Sequence, residues 1–166
     1  MPELPRLLDQ LRRAFDGDAW SGPSLLATLD GLSAAQAAAR PLPGAHSIGE
    51  LVRHLASWAE TVAQRVARQQ LVPAVAADWP PFPAEATDDA WQAALQELRA
   101  AHAHLLAAAV ALPEAALDTL LQAPPNQPAG APTSGYVLLH GTAQHYLYHA
   151  GQVALLRKGL ERPAGP

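Results

Sequence analysis

Apolar residues recur with helical spacing in four stretches of the chain. Leu4, Leu7, Leu8, Leu11 and Phe15 occupy the i, i+3, i+4, i+7 positions of an amphipathic helix that ends near Gly17. Ser47-Ile48-Gly49-Glu50 has the form of a capping box. Behind it Ile48, Leu51, Val52, Leu55, Ala59, Val62 and Val66 make one stripe, which predicts a second helix to about residue 70. Thr87, followed by Asp88 and Asp89 at the positive end of the helix dipole, opens a third; its face carries Trp91, Leu95, Leu98, His102, Leu105 and Ala109, and Pro113 ends it. Ser134 can cap a fourth, predicted to run to about Lys158 with Gly159 and Pro163 as stop signals.

The segments between these helices are irregular for identifiable reasons. Residues 21–40 read as broken helix and connector, with a capping box at Ser33-Ala34-Ala35-Gln36 and a stop at Arg40-Pro41. Pro73, Pro80, Pro81 and Pro83 exclude a regular helix from 72–86, which is predicted to be a long surface loop with Trp79 and Phe82 free to fold back. Pro124, Pro125, Pro128 and Pro132 mark a second loop, and both loops are candidates to border a pocket. No strand-like alternation of useful length occurs. The expectation is an all-α protein, a four-helix bundle forming a single domain over residues 1–166.

Composition narrows the function classes. The apolar share is carried by Ala and Leu rather than Ile and Val, which is helix composition. There is no cysteine, so disulfides, thiolate metal ligands and a cysteine nucleophile are all excluded, and any thiol chemistry must use a borrowed thiol. Net charge is -4 and the basic residues are scattered, so nucleic acid is not an expected partner. Charges interrupt every apolar run near the N-terminus, which predicts no membrane span and a cytoplasmic location.

Seven histidines are the chain's most distinctive chemistry. His145 and His149 stand one turn apart on the fourth helix, on a face shared with Leu138, Gln152, Val153 and Leu156, and an i, i+4 imidazole pair can reach one metal ion. The sequence between them lacks the Glu of an HExxH protease. His54, on the flank of the second helix's stripe between Leu51 and Trp58, is the obvious third ligand. His102 is placed as well as His145 for ligation; the favoured reading is a core histidine with a satisfied hydrogen bond. His46 and His104 read as surface or capping residues, and His140 faces away from His149. Glu50 is the N3 residue of its capping box and a candidate base, while Tyr148 and Gln152 flank the histidine pair and are candidates to orient a substrate. The opposite face of the fourth helix, with Leu139, Ala143, Leu147 and Ala150, is also apolar, which leaves open burial all round or a subunit interface.

Two segments, HSIGELVRHLASW at 46–58 and HGTAQHYLYHAGQVALLRK at 140–158, resemble the signature helices of the DinB/YfiT-like superfamily in order, spacing and the His-x-x-Tyr-His-x-Gly-Gln string. The resemblance implies an up-down-down-up bundle, a divalent metal on His54, His145 and His149 with positions left open, and a homodimer. It also implies, for some members, transfer of a low-molecular-weight thiol such as bacillithiol to a small-molecule substrate. Three neutral imidazoles with an open position suit Zn or Ni first and Mn or Fe as well. The competing expectations are a metal-dependent hydrolase and a stress protein that holds metal or ligand without turnover.

Overall fold

The computed structural model describes residues 2–127 and 130–161, and within it each capping signal in the sequence opens a helix. Helix α1 spans Glu3–Phe15, with Glu3 in its first turn and Arg12 and Arg13 in its last, as the helix dipole favours. Two short helices follow, α2 (Leu25–Leu29) and α3 (Ala34–Ala38), the latter behind a complete Ser33–Gln36 capping box. The long helices are α4 (Ile48–Arg68), α5 (Asp88–Val110) and α6 (Gly135–Glu161). Ser47 and Glu50 close the box at the start of α4, Thr87 accepts the Ala90 N–H at the start of α5, and Ser134 accepts the Val137 N–H at the start of α6. The protein is all-α apart from a two-residue antiparallel ladder, β1 (Leu120–Leu121) with β2 (Thr133–Ser134), which closes the second proline-rich loop.

Helix α6 continues through Gly159 to Glu161, so the stop predicted there does not occur. The glycine serves a different purpose: a Cβ on it would lie 3.0 Å from the Pro41 ring, so its small size lets the connector after α3 lie against the helix. Pro128 and Pro163 fall outside the described residues.

The core is built from the predicted stripes of α1, α4 and α5, joined on α6 by residues of both its faces. Leu4, Leu7, Leu8, Leu11 and Phe15 of α1 pack with Leu51, Leu55 and Val62 of α4, Trp91, Leu98 and Leu105 of α5, and Leu139, Tyr146 and Val153 of α6. The most extensive helix pair is α4 with α5, and α6 packs on α1, α4 and α2. Leu139, Ala143 and Ala150 are buried within the chain, so the alternative of a subunit interface at those three positions is settled in favour of burial. Gly49 and Trp91, near the starts of α4 and α5, meet across Phe82, and Glu60 meets His104 farther along, so these two helices run in the same direction. A loop long enough to return the chain to the starting end must join them, and residues 69–87 do so. Helix α4 runs opposite to α6, since Leu51 and Leu156 share one cleft and Val62 and Leu138 another. No described helix is long and apolar enough to cross a membrane.

Candidate metal centre

Antiparallel packing of α4 and α6 brings His54 within reach of the pair on α6. His145 Nε2 lies 3.0 Å from His54 Nε2 and 2.9 Å from His149 Nε2. One ligating nitrogen from each ring lies within 4.8 Å of the other two, a grouping found for no other set of three among the described residues. His54 and His149 are buried and His145 is half-buried.

Two of the rings are fixed from behind. His54 Nδ1–H donates to the Asp78 backbone carbonyl at 2.5 Å, and His149 Nδ1–H donates to Gln152 Oε1 at 2.6 Å. Carbonyl oxygens only accept, so in the neutral rings both protons sit on Nδ1 and both Nε2 lone pairs face the cluster. His145 can offer at most one N–H to its two Nε2 neighbours, which leaves one close contact lone pair to lone pair. A cation among the three nitrogens removes that repulsion. Bonds of about 2.0–2.1 Å place ligand atoms roughly 2.9–3.4 Å apart, depending on coordination geometry, and the two separations at His145 are those of nitrogens that could share one metal ion. Burial, followed by the neighbouring imidazoles of His149 and His54, pushes the His145 pKa down to about 4, and burial also lowers that of His149. These two rings therefore offer unprotonated nitrogens at neutral pH.

The proline-rich loop after α4 supplies the rest of the site. Trp79 is sandwiched between His54 (centroids 4.1 Å, planes 10° apart) and His46 (3.7 Å, 6°). Asp78 accepts the Trp58 indole N–H through Oδ1 at 2.7 Å, and Arg53 donates to the Pro81 carbonyl. Phe82 lies over Gly49, where a Cβ would collide with its ring. The His54 ring stacks on Trp79, and Trp58 touches it only edge-on at 6.5 Å. The second proline-rich loop is absent from the described surroundings of the histidines.

The other candidates fall as follows. His102 is buried elsewhere, stacked on Phe15 at 3.7 Å with Nδ1 3.3 Å from the Tyr146 hydroxyl. Burial lowers its pKa to about 4. His104 pairs with Glu60, and His140 contacts Gln144. Glu50 uses Oε2 to accept the Ser47 N–H and Oε1 to accept from Arg40 at 2.5 Å. Burial alone would raise its pKa, but Ser47, Arg40 and His46 more than reverse this and keep it a carboxylate. His46, read as a surface or capping residue, is partly exposed, and its Nδ1 lies 3.3 Å from Oε2 of Glu50, the capping-box carboxylate. Tyr148 is exposed, its ring centroid 5.0 Å from that of His149.

Two clefts flank the cluster. One, of about 310 Å³, is bounded by Leu42, Leu51, Trp79, Leu155 and Leu156 and reaches His149. The other, of about 380 Å³, reaches His54 and His145 from the side of Trp58, Leu138 and Thr142.

Residues 18–153 match the family model described as the DinB superfamily, a span that includes all three histidines and Trp79. The chain belongs to the DinB superfamily. No curated protein and no solved structure matches it. Membership agrees with the resemblance carried by the two histidine-bearing segments, and the part of the chain outside the match includes all of α1.

Proposed function

We propose that this DinB-superfamily protein is a metal-dependent enzyme that transfers a low-molecular-weight thiol of the bacillithiol type to an electrophilic small molecule. The supporting observation is the convergence of three Nε2 atoms, two of them oriented by Nδ1 partners, between two clefts that leave room for two substrates. His54, His145 and His149 hold the metal, with Zn or Ni the first choice and Mn or Fe the alternatives. A cation there supplies Lewis acidity, which makes a thiol more acidic near neutral pH.

The chain's own residues do the rest. Gln152 and the Asp78 carbonyl hold two ligand rings in register. Trp79 covers one face of His54 and limits water there. His46, with Nδ1 held by Glu50, takes the thiol proton at Nε2, so Glu50 acts through His46 rather than as the base itself. Tyr148, at the mouth, donates to the departing group. The new carbon–sulfur bond forms as the leaving group takes the electron pair of the broken bond. Same-direction α4 and α5 support an up-down-down-up order. A homodimer would draw on the exposed Val137 of α6.

Hydrolysis is the second reading, favoured by the same carboxylate-held His46, which would serve water as well as a thiol. Tag-free protein is expected to retain close to one divalent metal per chain by elemental analysis, to lose it in His149→Ala, and to bind it about 10–100-fold more weakly in Gln152→Leu. With monochlorobimane as electrophile, thiol-dependent product formation supports transfer. Cleavage of 4-nitrophenyl acetate with no thiol requirement supports hydrolysis. Silence in both assays with metal retained leaves a non-catalytic binder.

A further inference from the structure

The cleft on the His149 side has a composition that selects a class of ligand. Most of its wall is apolar, from Leu42, Leu51, Trp79, Leu155 and Leu156; His46 and Tyr148 also line it beside His149, and none of the described residues lining it is Lys, Arg, Asp or Glu. Arg40, close by in the sequence, spends its guanidinium on the Ala45 carbonyl and on Glu50. Carboxylates, phosphates and sulfonates are best held by a guanidinium, an ammonium or converging N–H donors that replace their hydration; this wall has no guanidinium or ammonium, and the Nδ1 of His46 is turned to Glu50. Gln152 adds a directed polar requirement. Its amide oxygen accepts from His149, while its NH2 group has no hydrogen-bond partner among the described residues and lies on the cleft wall as a donor. A volume of about 310 Å³ suits a body of one or two fused rings.

We infer that this cleft takes the acceptor substrate of the site, and that this substrate is an uncharged compound with an aromatic or branched aliphatic body and one hydrogen-bond-accepting oxygen. The inference rests on the proposed enzymatic reading for the word substrate; the preference of the cleft is independent of it. The apolar body lies against Trp79 and the leucines, the oxygen meets the Gln152 NH2, and the reacting end points toward His149. Leu42 and Leu155, 37% and 59% exposed, form the rim.

The test is calorimetric titration of the full chain, both as purified with its metal and after chelation. The two probes are 2-acetylnaphthalene, neutral with an acceptor oxygen, and naphthalene-2-sulfonate, an anion of similar shape and a weak metal ligand. The ketone is expected to bind at least about tenfold more tightly than the sulfonate. Leu155→Glu and Leu42→Glu should each weaken the ketone by roughly tenfold while metal content and melting temperature stay at the parent values. Equal or tighter sulfonate binding, indifference of the ketone to both rim variants, or no measurable ketone binding each overturns the inference. Metal content of the parent reads the metal site by itself, so failure of that site and failure of the cleft are separate results.

Discussion

At the scale of single residues, the histidines divide by what stands behind each ring. His102 has Phe15 against its face and the Tyr146 hydroxyl at Nδ1, which is a core environment. Burial lowers its pKa in the folded protein from the ordinary 6.5 to about 4. Between those two values the unfolded chain binds a proton that the folded chain refuses. The contribution is therefore fully present above pH 6.5, falls away as pH drops through the window, and stops changing below about 4. It amounts to about 3 kcal/mol over the whole window. Urea titrations of the parent and of His102→Leu at equal metal content are expected to show a steeper acid loss in the parent; identical slopes would mean that His102 is protonated or solvated when folded. Spacing alone placed His102 as well as His145 for a metal site, because periodicity fixes the face of a helix but not the neighbour it meets. The i, i+4 pair was legible for the opposite reason, since both members share one helix. Trp79 was legible only as an aromatic free to fold back, and Asp78 not at all. They sit in a proline-rich loop with no period, and their only signal was an aromatic and an acid in a segment too long to be a simple connector.

At the scale of elements, the loop from 69 to 87 does two jobs: it carries the chain back along α4 so that α5 can run in the same direction, and it fixes His54. Its anchors are spread along α4, from Phe82 over Gly49, through Arg53 to the Pro81 carbonyl, to the Val75 N–H on Thr61 at 3.1 Å. Gly49 is the one anchor that depends on having no side chain, because the Phe82 ring occupies the place of a Cβ and reaches Trp91 behind it. Gly49→Ala is expected to cost about 1–3 kcal/mol by overpacking and to weaken metal binding, since the displaced loop carries the Asp78 carbonyl away from His54. Phe82→Ala introduced with Gly49→Ala should recover part of the helix start but not the metal affinity. Denaturant midpoints and competitive chelator titrations measure the two effects separately, and a Gly49→Ala protein with parental metal affinity would show that the loop does not hold the ligand. Helix boundaries were the most legible part of the chain: Ser33, Ser47, Thr87 and Ser134 each cap where the sequence placed them, because capping needs only residues three apart. Gly159 was misread as a stop because its cause, the ring of Pro41, is remote in sequence.

At the scale of the molecule, the cluster lies across the seam between α4 and α6, two helices far apart in the chain, whereas the most extensive packing is that of α4 on α5. A cation held by His54, His145 and His149 ties that seam directly and binds a site that the unfolded chain does not possess. Folding and binding are then linked: at free metal 100-fold above its dissociation constant, linkage adds about 2.7 kcal/mol. For a chain of this size, that corresponds to a rise of roughly 5–11 °C in melting temperature. Thermal unfolding in the presence of added metal and of chelator is expected to show this difference in the parent and to lose it in His145→Ala/His149→Ala. The gain should also be local. Amide exchange is expected to slow along the facing turns of α4 and α6 and in the segment around Asp78, while the first turns of α1, which meet Glu114 rather than the cluster, keep their chelated rates. A metal-dependent rise that survives the double variant, or protection spread evenly over every helix, would place the stabilising cation somewhere other than between these three rings.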